Sequence, residues 1–157
     1  MGPRKPLIGV IGASKPKNRD PENAVAVGRL IASKGWIVIC GGLEGVMEAV
    51  SRGASEKGGV VVGILPGGKA SDANQYVTIP IATKLGYARN AVIAQAADSL
   101  IAIGGGPGTL SEIGHSLSFK KFVVGLDSWA VPGMIPAASP EEAIAFTEKQ
   151  LKKLGLI

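Results

Sequence analysis

The sequence predicts an α/β fold: a single Rossmann-like domain, doubly wound around a mainly parallel sheet, with helices on both faces. Three observations lead there. Short apolar runs alternate with amphipathic stretches along all 157 residues, the period switching that marks strand–helix repetition. The apolar runs are continuous, as in strands buried on both faces. Glycine supplies 23 residues, roughly twice the usual share, and collects directly after those runs. It follows no fixed period and sits among Val, Ile and Leu, which excludes collagen and a disordered glycine tract. The length fits one domain over residues 1–157, with neither repeat nor linker.

The elements follow in order. Leu7–Ile11 is a first strand, followed by a polar loop to Asp20. Asp20-Pro21 reads as an N-cap and first helical position. Val27, Leu30 and Ile31 then share a helix face, and Gly35 ends that helix. Trp36–Cys40 is a second strand closed by Gly41-Gly42. A helix over about 45–57 buries Val46, Met47 and Val50, and Val60–Leu65 is a third strand. Residues 66–86 are the least regular stretch, with a short strand expected at Tyr76–Ile79. A helix at Tyr87–Ala97, a strand at Leu100–Ile103, a helix at Leu110–Phe119 and a last core strand at Phe122–Leu126 complete the sheet. Ser139 and Glu142 form a capping pair for a C-terminal helix.

Composition removes several functions. With one cysteine (Cys40) and one histidine (His115), a structural zinc site lacks its four ligands, and a disulfide framework is impossible within the chain. No metal site is expected. The net charge of +5 comes from dispersed residues (Lys15, Lys17, Arg19; Lys120, Lys121; Lys152, Lys153). Aromatics are only 4%, too few for a base-stacking platform, so nucleic acid is not an expected partner. A small anion suits the modest positive field better. No apolar run reaches the roughly 18–20 residues of a membrane span. Leu7–Ala13 reads as a strand and not as a signal peptide, Pro6 breaks the myristoylation pattern, and a cytoplasmic location is expected.

Ligands of such folds bind at the carboxyl ends of the strands, near the switch in strand order. Three strands run into glycine-rich turns: Gly12-Ala13-Ser14, Gly41-Gly42-x-x-Gly45 and Gly104-Gly105-Gly106-Pro107-Gly108-Thr109. A fourth turn, Pro66-Gly67-Gly68, should share their edge. Convergence of these turns favours a nucleotide or phosphate ligand held by backbone N–H groups and helix N-termini. A nicotinamide site is disfavoured, because no Gly-x-Gly-x-x-Gly follows the first strand and the second ends in glycine, not an acid. Gly63–Ala70 imitates a P-loop, but Ala70 stands where magnesium needs a hydroxyl.

Arg89 falls in the first turn of its helix, where a cation opposes the helix dipole. It is either an anion ligand or an exposed surface residue. Thr109 and Glu112 fit a capping box, which competes with any chemical role for Glu112. His115 reads as a helix-flank residue and Cys40 as core.

Together these segments resemble the Lonely Guy and DNA-processing-protein-A-like Rossmann superfamily, members of which are often mislabelled lysine decarboxylases. The signature Pro-Gly-Gly-x-Gly-Thr-x-x-Glu aligns with Gly104–Glu112, Ser14 matches the serine after the first strand, and Gly41-Gly42-x-x-Gly45-x-Met47 matches the second motif. Leu65-Pro66-Gly67, Asn74, Gly86–Asn90 and the triple glycine look like the branch containing the molybdenum-cofactor carrier protein. The resemblance implies two functions. In the Lonely Guy enzymes, hydrolysis of the N-glycosidic bond of nucleoside 5′-monophosphates uses an arginine and a glutamate that map to Arg89 and Glu112. The carrier protein binds a phosphate-bearing cofactor without turnover. Gly104 in place of the signature's proline, and Asn90 in place of the lysine after the arginine, count against hydrolysis. The main reading is a nucleotide- or phosphate-binding protein with phosphoribohydrolase chemistry at Arg89 and Glu112. The alternative is a carrier or sensor. In both, Gly12, Ser14, Gly41, Gly42, Gly45, Asn90, Gly104, Gly105, Gly106, Gly108 and Thr109 hold the ligand, and no further cofactor is required. The superfamily also implies a homodimer or homotetramer packed through the Tyr87–Ala97 and Leu110–Phe119 helices.

Overall fold

A parallel strand must be covered on both faces, and the sequence supplies the helices in alternation to do it. The structure is a computed structural model describing residues 2–157. Its elements are β1 (Leu7–Gly12), α1 (Asp20–Ser33), β2 (Ile37–Cys40), α2 (Val46–Glu56), β3 (Val61–Leu65), β4 (Ile79–Ala82), α3 (Arg89–Ala96), β5 (Ser99–Ile103), α4 (Pro107–Ser118), β6 (Val123–Leu126), β7 (Ile135–Ala137) and α5 (Pro140–Lys153). The sheet order is β4-β3-β2-β1-β5-β6-β7, and every pairing is parallel. The expected doubly wound α/β class is therefore observed.

Side chains alternate across this sheet and split the core in two. Ile8, Val10, Val38, Ile101 and Val124 face α1, α2 and α5. Ile11, Ile39, Leu100 and Val123 face α3 and α4. On the first face α1 and α2 touch backbone to backbone. A Cβ on Gly28 would lie 2.2 Å from the Val50 carbonyl oxygen, and one on Gly53 would lie 2.1 Å from that of Val25. At the amino edge, Arg4 grips Asp98 through two hydrogen bonds of 2.7 and 2.8 Å, and the Leu7 N–H donates to the same carboxylate at 2.8 Å. This ties the start of β1 to the start of β5. Among the described residues no helix is long and apolar enough to cross a membrane.

Several boundaries differ from expectation. The strand placed at Tyr76–Ile79 is β4, three residues later, and β7 was not anticipated. Both contain a proline, Pro80 and Pro136. Proline weakens a strand signal but is tolerated on edge strands, the place both occupy. Asp20 is not an N-cap: it is the first residue of α1, and its carboxylate accepts the Lys17 N–H at 3.1 Å, closing the preceding loop. The helix expected from Tyr87 begins as a 3₁₀ turn at Gly86–Ala88 and becomes α-helical at Arg89. The P-loop imitation is followed only by a 3₁₀ turn, Ala70–Asp72. Ser139 caps α5, accepting the Glu142 N–H at 3.1 Å.

The α1–α2 contact yields a paired test. Gly53→Ala should lower the unfolding free energy by about 1–3 kcal/mol, because the helices must separate. Gly114→Ala on α4 meets nothing within 4 Å and should raise it by up to about 1 kcal/mol through helix propensity. Urea unfolding of both variants reads the two signs.

Candidate functional site

The site arises where neighbouring strands send their chains apart. β1 continues to α1 on one face, and its neighbour β5 continues to α4 on the other. Their connections diverge and leave a crevice of about 390 Å³ at the carboxyl edge. Its walls are the end of β1 with Gly12, Ala13 and Ser14, the β2–α2 turn with Leu43, Glu44 and Met47, the start of α3 with Arg89 and Asn90, and the first turns of α4.

Arg89 is buried, at 8% exposure, which decides against the surface-residue reading. It stands at the first position of α3, which has no side-chain cap. Its guanidinium donates to the Asn90 side-chain oxygen. Its Nε is buried without a hydrogen-bond partner, the one such side-chain atom among the described residues. Burial pulls its pKa below the usual arginine value, with Glu112 opposing that shift. The guanidinium fits only because position 41 is glycine. A Cβ there would lie 2.7 Å from Arg89 Nη2 and 2.5 Å from the Met47 sulfur.

Glu112 is equally buried, and its carboxyl is pushed up to about 7 by burial, against the pull of Arg89. Among the described residues the direct ion pairs are Arg4–Asp98, Arg29–Glu56, Lys34–Glu148 and Lys152–Glu148. Arg89 and Glu112 thus share a crevice without a salt-bridge contact. The capping box is overturned. Helix α4 begins at Pro107 with Gly106 as N-cap, so Thr109 is third in the helix and Glu112 sixth. Proline at the first helical position is the sequence signal that places this start. Burial raises the Cys40 thiol pKa and keeps it neutral, consistent with its core role.

The expected ligand residues divide by position. Gly12, Ser14, Asn90, Gly106, Gly108 and Thr109 line the crevice together with Arg89 and Glu112. Gly105 and Gly104 border adjoining cavities. Gly41, Gly42 and Gly45 stand behind the wall. Gly41 clears space for Arg89, Gly42 packs on Leu65, and Gly45 passes the Ala13 and Ser14 carbonyls. Pro66, Gly67 and Gly68 do not line the crevice. Among these expected ligand residues, Gly106 and Gly108 have open space beside them: a Cβ on either would meet nothing within 4 Å, and neither has a positive φ. Leu43, Glu44 and Tyr87 were not expected in the lining. Tyr87 stands inside the Gly86–Asn90 motif, whereas Leu43 and Glu44 occupy the variable positions of Gly41-Gly42-x-x-Gly45.

The domain is Rossmann-like, and its crevice, lined by one buried cation, Arg89, and the acids Glu44 and Glu112, lies at the switch point where open α/β folds place their ligands. The chain matches the SLOG cluster4 family over residues 5–154 and belongs to that family. It is similar to a molybdenum cofactor binding protein from Rippkaea orientalis, with 36% identity and a TM-score of 0.89 over 93% of this chain and 97% of that one. A molybdenum cofactor carrier protein from Chlamydomonas reinhardtii gives 36% identity and a TM-score of 0.88 over 95% and 99%. An Archaeoglobus fulgidus protein is 47% identical over 88% of this chain and 92% of its own length. A cytokinin riboside 5′-monophosphate phosphoribohydrolase from Mycobacterium marinum is 34% identical over 69% of this chain, and the match spans 63% of that enzyme.

The Glu112 carboxyl yields a stability prediction with a definite sign. A carboxyl whose pKa is raised by folding binds more protons in the native state between about pH 4.5 and 7. Stability then falls as pH rises through that window, by an amount on the order of 3 kcal/mol. Glu112→Gln removes this dependence, so the variant should be more stable than the parent at pH 8 and nearly equal to it at pH 4. Thermal unfolding across pH measures the difference, and parallel curves would show that Glu112 titrates normally.

Proposed function

We propose that this protein binds a phosphate-bearing cofactor in the β1/β5 crevice and carries it without turnover. The observation that carries this reading is Arg89, a buried cation with an orphaned Nε, beside the start of α4, which has no side-chain cap. A phosphate would answer both deficits. It would give the guanidinium a charge-assisted partner and receive the free N–H groups of the first helical turn. The open space at Gly106 and Gly108 gives the anion its approach to the backbone. A Glu112 carboxyl near pH 7 leaves this acid largely protonated below neutrality, so it need not repel the incoming phosphate.

The likeness to the Rippkaea and Chlamydomonas proteins, over nearly the whole of each chain, supports the molybdenum cofactor as cargo. The fit is chemical as well. The crevice has a cation, a helix N-terminus and apolar walls at Leu43 and Met47, and its volume is within the range of small-molecule sites. Arg89 and the Gly106–Thr109 segment would hold the phosphate, while Ser14 and Asn90 would orient the remainder.

Glycosidic hydrolysis is the second reading, favoured by one observation: Arg89 and Glu112 lie in one crevice, with Glu112 titrating near neutrality. In that reading Arg89 positions the substrate and a carboxylate stabilises an oxocarbenium-like transition state. Incubation with a panel of nucleoside 5′-monophosphates separates the two. The carrier reading expects no free base, and base release that Glu112→Gln abolishes would replace it with hydrolysis.

For the carrier, titration calorimetry with molybdenum cofactor should show a weakening of roughly 10- to 100-fold for Arg89→Ala, the scale of one lost charge-assisted bond. Gly108→Ala should leave unfolding unchanged or improved yet weaken binding, because its methyl group occupies only ligand space. Affinity should also fall as pH rises past about 7 in the parent, and Glu112→Gln should flatten that fall. We further read the exposed Tyr87, Val92, Leu110 and Phe119 side chains of the α3–α4 face as a surface for self-association. Sedimentation as a dimer or tetramer is the expected outcome.

A further inference from the structure

The crevice does not end at the glycine turn. Ala13, Ser14 and Gly106 form a saddle, with the Arg89 crevice on one side and a second cavity of about 260 Å³ on the other. Lys15 and Lys17 line this second cavity. Past Lys17, Asp20 and Gly105 it opens into a third space of about 680 Å³, bounded by Arg19, Asp127 and Trp129. Lys15, Lys17 and Arg19, all from the β1–α1 loop, thus face one groove at the sheet's switch point.

We propose that this groove is the second half of a two-part site and takes a nucleotide joined to the first ligand through a pyrophosphate. The proposal rests on the carrier reading and extends it to the class of ligand carried. Each part of a nucleotide finds a chemical complement within the groove. The second phosphate of a pyrophosphate lies directly beside the first, at the saddle, where Gly106 offers open backbone and Lys15 and Lys17 stand adjacent. A ribose diol needs an acceptor, and dinucleotide-binding folds use a carboxylate for it. Asp127 supplies one at the end of β6. Its Oδ2 accepts a long 3.4 Å bond from Asn23, and Oδ1 has acceptor capacity for a sugar hydroxyl. A base needs a flat apolar surface. Trp129 is 41% exposed, and its indole N–H donates at 3.2 Å to the Gly106 carbonyl, holding the ring beside the saddle.

The fold explains the remaining acid, Asp20, by its bond to Lys17 and its packing against Gly104. It leaves Lys15, Asp127 and Trp129 facing the groove.

The test is calorimetric titration of the full chain with two probes: the molybdenum cofactor, and the same cofactor joined to guanosine through a pyrophosphate. The nucleotide form should bind at least about tenfold more tightly. The double variant Lys15→Ala/Lys17→Ala and the single variant Asp127→Asn should each reduce that advantage while leaving the affinity for the unextended cofactor within about twofold. Equal affinity of the parent for the two probes would overturn the second half-site. So would variants that weaken both probes alike, since the residues would then serve the first ligand or the fold. Failure of both probes to bind would remove the carrier reading itself, a result distinct from equal binding.

Discussion

β1 and β5 lie side by side and parallel, yet their chains leave for opposite faces of the sheet. No connection can fill the gap between two departing chains, and the gap is held open as long as both faces need covering. Most features of the site answer to this constraint. Loops after β1 and β5 form its two banks, and α4 begins at its rim and brings Glu112 into the lining. A third element, α3, contributes its first residue, Arg89.

Placing a guanidinium there has structural consequences. Burial without full hydrogen bonding is unfavourable for a cation, and the helix dipole adds to the cost. The protein accommodates Arg89 by leaving out a side chain at Gly41, by offering the Asn90 oxygen, and by setting Glu112 within electrostatic reach. The accommodation is partial, since Nε remains unpaired. Glu112 is affected in turn, because burial outweighs the attraction of Arg89 and lifts its carboxyl to about 7. The two residues hold each other short of a salt bridge, an arrangement that an anion would complete.

The glycines serve different purposes at different places in the fold. Gly28 and Gly53 let two helix backbones meet on the far side of the core. Gly41 and Gly45 admit neighbouring atoms behind the crevice wall. Gly106, the N-cap of α4, and Gly108, in its first turn, face open space on the crevice without a positive φ.

Local pattern was enough to determine the α/β class, most of the strands, and the edge on which the glycine turns collect. Those features depend on periodicity and on residues adjacent in the chain. The edge strands β4 and β7 were displaced or hidden, because proline within a short exposed run erases the strand signal while an edge position tolerates it. The start of α4 was legible in Pro107, but the Thr109–Glu112 spacing imitated a cap and obscured it. Tertiary structure alone decided that Glu112 is buried beside Arg89, that Gly41 stands behind the guanidinium, and that Lys15 and Lys17 meet Asp127 and Trp129 along one groove. The physical reason is distance along the chain. Burial and electrostatic coupling join residues up to more than a hundred positions apart, and no local period records which of them the sheet brings together.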